Sequence, residues 1–327
     1  MNRLVRVELR RMVARRATWV VLGLCAVLAC LVVYGSHQST RYLTPANRAQ
    51  AAQGFDQSHA DWVAHHDEWT KDCLKNAPPE AKADPSACAM PEPTLENFLG
   101  GSSLRQVVRE SVSGTTGAVM FLAFLLGATF VAAEFSSGTM STWLTFEPRR
   151  LRVFLSKVQA PVVGGVAVAA VMALICGVGV WWVARGLGLT AEASTAEQAA
   201  VVWTWVRLLA VGAFAGALGA AVGFVVRNTA ACLGIAVAYG VVAELIVAGF
   251  LGPARRWLIS TNLRAVVDHG TAYLTDRCTP DPQQQGILSC TSVEHHVSLG
   301  SGAAYLVVVC LAVVAISAWS YQRRDVG

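Results

Sequence analysis

Residues 133–157 read AEFSSGTMSTWLTFEPRRLRVFLSK. An apolar run ends just before this stretch, and another begins just after it. The stretch itself carries two Glu, three Arg, one Lys and one Pro. A plain connector needs far fewer residues, so the segment reads as a working element between two membrane spans.

Working outward, six apolar runs emerge, at 17–35, 114–133, 158–183, 201–226, 230–250 and 302–320. A helix needs about 20 residues to cross a hydrocarbon core about 30 Å thick. Composition agrees. Of 327 residues, 54% are hydrophobic and 14% charged, and the mean hydropathy is +0.47; a soluble domain carries about 25% charge. The expected fold is an all-α membrane protein with six transmembrane helices. The first run follows a basic start, as a signal peptide does. Five further runs follow it instead of a soluble chain, so it is read as a retained helix.

Orientation follows Lys and Arg. The first 16 residues hold six Arg: Arg3, Arg6, Arg10, Arg11, Arg15 and Arg16. Segment 134–157 holds Arg149, Arg150, Arg152 and Lys157, and the tail 321–327 holds Arg323 and Arg324. Both termini are therefore expected in the cytoplasm. Loops 36–113, 184–200 and 251–301 fall outside. The last contains Arg255, Arg256, Arg264 and Arg277, which a long loop tolerates because such loops cross largely regardless of charge. The formal net charge of +5 calls for no nucleic acid, since the Arg residues lie where anionic inner-leaflet lipid would hold them.

Cysteines follow the same division. Cys25, Cys30, Cys176, Cys232 and Cys310 fall inside spans, whereas Cys73, Cys88, Cys278 and Cys290 fall in outer loops. An even set in an oxidising compartment points to two disulfides. Local pairing, Cys73–Cys88 and Cys278–Cys290, is favoured, and pairing between the loops is the alternative. Closing a loop of about 15 residues contributes roughly 3 kcal/mol in the chain-entropy model.

Residues 1–16 form an amphipathic pattern, with Val5, Leu9, Met12 and Val13 on one stripe and Arg3, Arg6 and Arg10 on another face. That is an interfacial helix on the inner leaflet, or else a disordered basic tail. Loop 36–113 reads as a small helical domain. It has a helix over QGFDQSHADWVAHHDEWTKDC, a Pro-rich stretch, a hinge at GGSS (100–103) and a second short helix, SLRQVVRES. Loop 251–301 reads as partly helical. The chain contains no phosphate-binding G-x-x-x-x-G-K-[ST], no H-E-x-x-H and no G-x-S-x-G. The His65–His66 and His295–His296 pairs match no standard metal spacing, and a solvated face explains them; no metal site is expected.

Within 134–157, Met140, Trp143 and Leu144 recur at i, i+3 and i+4, one apolar face of a short helix. Pro148 ends it. A second amphipathic turn carries Leu151, Phe154 and Leu155, while Arg149, Arg150, Arg152 and Lys157 are placed toward lipid phosphates. Glu134, Gly138, Thr139, Pro148, Arg149 and Lys157 resemble the E-x-x-x-G-T … P … R … K order between the second and third spans of ABC-2-type transporter permeases. The tail YQRRDVG is similar to the F-x-R-R-D ending of such permeases, with Tyr321 for Phe. Loop 36–113 is larger than in many simple members.

The resemblance implies a permease subunit of an exporter in a bacterial plasma membrane, paired with a second permease subunit as a homo- or heterodimer. It implies that ATP and Mg are bound by a separate ABC ATPase subunit and no cofactor by this chain. It further implies that 134–157 and the N-terminal helix dock on that ATPase, with Met140 and Trp143 in its groove and Glu134 fixing the start of the hairpin. The alternative role for the segment is lipid anchoring alone. The alternative for the chain is a sensor or assembly factor acting through loop 36–113.

Two charges lie inside spans, Arg207 and Glu244, at matching depth on neighbouring helices. They are expected to pair, unless Arg207 snorkels outward. Gly212, Gly216, Gly219 and Gly223, spaced for close packing, are expected to pack within one subunit rather than across a dimer. Pro161 and Gly164–Gly165 mark a bend near the start of span three.

Overall fold

The computed structural model describes residues 2–40, 45–76, 88, 90–98, 104–140, 143, 149–280 and 288–323. The helices used below are α1 (Asn2–Ala14), α2 (Arg16–Ser39), α3 (Pro45–Asn76), α4 (Leu104–Ser136), α5 (Arg150–Gly186), α6 (Thr195–Val226), α7 (Thr229–Ala238), α8 (Ile259–Val267) and α9 (Leu299–Arg323). Six helical stretches are long and apolar enough to cross a membrane: Arg16–Gln38, Leu104–Ser136, Arg150–Gly186, Thr195–Val226, Thr229–Gly249 and Leu299–Arg323. Each contains one of the six apolar runs, and the loop between the first two contains α3.

Helices α4 and α6 are the most buried spans and form the centre of the bundle, with α5 against both. Their contact is built on glycine. A Cβ on Gly165 would lie 2.0 Å from the Gly212 carbonyl oxygen, and one on Gly219 would lie 2.1 Å from that of Phe124. A Cβ on Gly216 would lie 2.2 Å from the Pro161 carbonyl oxygen. Backbones this near gain dispersion contacts that no larger residue permits. The glycine stripe therefore packs within the subunit. Span five, by contrast, is the least buried of the six.

The spans outrun the apolar runs. Helix α4 begins at Leu104, so SLRQVVRES is no separate helix but the first turns of span two; GGSS lies outside the described residues. Loop 251–301 holds a feature not expected from the sequence, an antiparallel hairpin of β1 (Thr271–Pro280) and β2 (Leu288–Val297). Its register sets Cys278 directly opposite Cys290. The other local pair is bonded, Cys73 to Cys88.

The intramembrane charges do not meet. Arg207 Nη1 donates to the Val267 carbonyl at 3.1 Å. Glu244 accepts from Tyr239 Oη at 2.8 Å, from the Ser260 amide at 3.2 Å and from the Ser260 hydroxyl. Ser260 is in the first turn of α8 and Val267 is its last residue. The acid thus sits at the positive end of one short helix and the base at its negative end, where each is favoured by the helix dipole. The partner differs because α8 folds back between the two spans and offers each charge a terminus. In a double-mutant cycle, Arg207→Met and Glu244→Gln should each cost about 1 kcal/mol in thermal stability and add without coupling. A coupling energy above about 1 kcal/mol would mean direct contact.

Candidate functional site

The residues of 134–157 assemble at the end of the bundle that carries α1. Gly138 sits just beyond α4 at φ +67°, a left-handed conformation that glycine adopts without strain. The Gly138 amide donates to the Phe135 carbonyl at 3.3 Å, stopping the helix after its last turn. Thr139 Oγ1 donates back to the Glu134 carbonyl at 3.2 Å. Sequence Gly-Thr at this point therefore turns the chain sharply off span two. Pro148 lies outside the described residues; Arg149 is exposed at the start of α5.

Beneath this turn four charges converge. Lys157 is 0% exposed, Glu8 1% and Glu134 2%. Lys157 Nζ donates to Glu8 Oε1 at 3.0 Å and to Glu134 Oε2. Arg11 Nη1 lies 3.5 Å from Glu8 and 3.2 Å from Glu134, close as a charge pair although not aligned as a hydrogen bond. The indole of Trp143 covers the group, with Lys157 Nζ 5.2 Å and the Arg11 guanidinium 5.5 Å from its centroid. Two acids and two bases sum to zero charge, which is what a buried cluster requires. The cluster ties α1 to the end of span two and the start of span three. Arg15 adds a further tie, donating to the Thr129 and Phe130 carbonyls at 3.3 and 3.1 Å.

Two expectations change here. Lys157 does not face lipid phosphates; it is the centre of the cluster, because two carboxylates from different helices reach it. Met140 is 1% exposed and belongs to the core of this chain, so its side chain is not available to a partner. Trp143 is half-buried. Of the second turn, Phe154 is buried while Leu151 and Leu155 are exposed.

Glu8 was missed in the sequence, as a lone acid in a basic helix. Its signal was position: with Met12 it shares the one face of α1 that is buried.

An aromatic group closes the same end. Phe154 and Phe224 lie 4.6 Å apart and Phe224 and Tyr321 5.0 Å, with Phe135 against both Phe224 and Tyr321. These rings come from spans two, three, four and six. Tyr321 is fully buried and its hydroxyl finds no partner among the described residues. A buried hydroxyl left unbonded costs about 1–3 kcal/mol. Tyr321→Phe is therefore expected to raise the melting temperature in detergent, whereas Tyr321→Ala should lower it by about 3–5 kcal/mol of stability.

His65, His66 and His295 have structural partners. His65 and His66 donate from Nδ1 to the Asp61 and Trp62 carbonyls, and His66 stacks on Trp62 at 4.2 Å. His295 stacks on Tyr273 at 5.3 Å. Among the described residues no group of three or more His, Cys, Asp or Glu is placed to hold a metal ion.

The model of ABC-2 family transporter proteins matches residues 3–326. The chain belongs to that family. No curated protein matches it. As an ABC-2 family protein it is a multi-pass membrane permease subunit, non-catalytic by family. The family match covers α1, both sides of the charge cluster and the final span, so the cluster joins parts of one family unit.

Proposed function

We propose that the chain is the membrane subunit of an ABC exporter in a bacterial plasma membrane, moving a hydrophobic or amphipathic substrate. A separate ATPase subunit would bind ATP and Mg, and a second permease subunit, identical or not, would complete the path. The termini and 134–157 lie in the cytoplasm on this reading, with 36–113, 184–200 and 251–301 outside.

One observation carries it: the buried cluster of Glu8, Arg11, Glu134 and Lys157 under Trp143. A force applied at the turn after span two cannot move that turn alone. Glu134 and Lys157 would have to separate in a dry site, at several kcal/mol, so span two, span three and α1 travel together. A rigid lever of this kind is what ATPase closure needs. With Met140 buried, the contact surface falls on Trp143 and on exposed Leu151 and Leu155, flanked by Arg149 and Arg152.

The test is a mild-detergent pull-down of the tagged chain from native membranes, with mass spectrometry of what accompanies it. An ATPase subunit should co-purify. Leu151→Ser with Leu155→Ser, both exposed and so compatible with folding, should weaken that association about tenfold, or 1.4 kcal/mol. Full retention of ATPase binding and of transport-coupled hydrolysis in this variant and in Trp143→Ala would refute the lever. Absence of any ATPase from well-folded protein would favour the other role, a sensor or assembly factor working through the disulfide-bonded loop around α3.

A further inference from the structure

At the other end of the bundle lies a cleft of about 960 Å³. Arg105 there and Glu134 at the cluster are separated along α4 by about 44 Å, at 1.5 Å per residue. Its walls are the first turns of α4 and α6, the turn Asp268–Gly270 after α8, and the end of β2. Three guanidinium groups face it, from Arg105, Arg109 and Arg207, against a single carboxylate, Asp268. Glu197 does not line the cleft but lies beside it, its carboxylate accepting from the Arg105 amide at 3.3 Å. Arg207 uses one nitrogen on Val267 and keeps its other donors. The α6 wall is apolar, formed by Ala196, Ala199, Ala200 and Val201, and Trp203 stands at its edge, 60% exposed.

Burial pushes the Asp268 carboxyl above its ordinary range, with Arg109, Arg264 and Arg207 acting against that rise. Of the three cleft arginines, Arg109 and Arg207 are therefore close enough to act on this one charge. Even with Glu197 counted, two carboxylates do not balance three guanidinium groups, and Arg105 and Arg109 form no salt bridge among the described residues. Guanidinium groups in this number match an oxyanion with several acceptor oxygens, above all phosphate. The apolar wall and the exposed indole at the end of a span match the acyl region just below a headgroup.

We propose that this cleft binds a phosphate-bearing anion, held by Arg105, Arg109 and Arg207, and that its source is the headgroup of an anionic lipid whose chain lies along α6. The site is independent of how the chain couples to an ATPase.

The experiment measures the melting temperature of the full chain in neutral detergent against three probes: dioctanoyl phosphatidylglycerol, dioctanoyl phosphatidylcholine and inorganic phosphate. Phosphatidylglycerol should raise it saturably and phosphatidylcholine should not. Arg105→Gln with Arg109→Gln should shift half-saturation at least tenfold upward. Asp268→Asn, which removes the opposing charge, should shift it downward. If inorganic phosphate gives the same rise over the same concentrations, and the double variant loses it, the phosphate site stands with a soluble ligand as its source. Equal stabilisation by the two lipids, with none from phosphate, would overturn the proposal. So would unchanged half-saturation in the double variant, or, where that variant folds poorly, no tightening in Asp268→Asn.

Discussion

Lys157→Met should leave little folded protein in mild detergent. The substitution keeps the volume and removes the one ammonium that both buried carboxylates share. Glu8 and Glu134 would then face each other with only Arg11, whose approach at 3.5 and 3.2 Å is not aligned for hydrogen bonding. Breaking a buried ion pair from one side costs about 3–5 kcal/mol, a large part of the total stability of a typical protein. The measurement is the monodisperse fraction on size exclusion and the melting temperature. A second variant separates charge from shape: Lys157→Met combined with Glu8→Gln and Glu134→Gln removes all three charges, so most of the lost stability should return. On the proposed lever, that variant should fold yet couple poorly, since three neutral side chains slide where ions hold. A wild-type melting temperature in Lys157→Met would mean that the cluster is not dry.

Gly212→Ala should be nearly as damaging, although it adds one methyl group. Its Cβ would stand 2.2 Å from the Gly165 carbonyl oxygen and 2.7 Å from the Ala169 methyl. The first is backbone, so no rotamer change relieves it and the helices must part. Overpacking ordinarily costs about 1–3 kcal/mol. A loss at or above the upper end is expected here, because separation at Gly212 also loosens Gly216 against Pro161. Gly234→Ala is the matched control. Nothing lies within 4 Å of its added Cβ, and helix propensity alone should give a gain of up to about 1 kcal/mol. Equal melting temperatures for the two variants would contradict the packing described.

The six spans were legible because hydropathy and length decide them without reference to partners. Gly138 and Thr139 stood out only through the resemblance to a family motif; the left-handed turn at Gly138 came from the structure. What the sequence did not carry was azimuth. Loop 251–301 reads as partly helical and α8 lies in it, but no local pattern shows that the two ends of α8 take up Glu244 and Arg207. Lys157 was assigned to lipid because a base beside three Arg residues reads as part of a solvated face. Its two carboxylates come from 149 and 23 residues away in the chain, a distance no local pattern spans. The β-hairpin escaped for a related reason: its pairing, not its composition, makes it a sheet.

On the proposed cytoplasmic placement, helix α1 is held in two ways, of which only one responds strongly to ionic strength. Its inner face is fixed by Glu8 against Lys157, both buried, where screening by mobile ions is weak. Its outer face presents Arg6 and Arg10, both exposed, whose attraction to anionic lipid decays within a Debye length of about 8 Å at physiological salt. Raising salt should therefore free the helix from the bilayer while leaving it bolted to the spans. Washing membranes with concentrated salt would therefore not strip α1 from the protein.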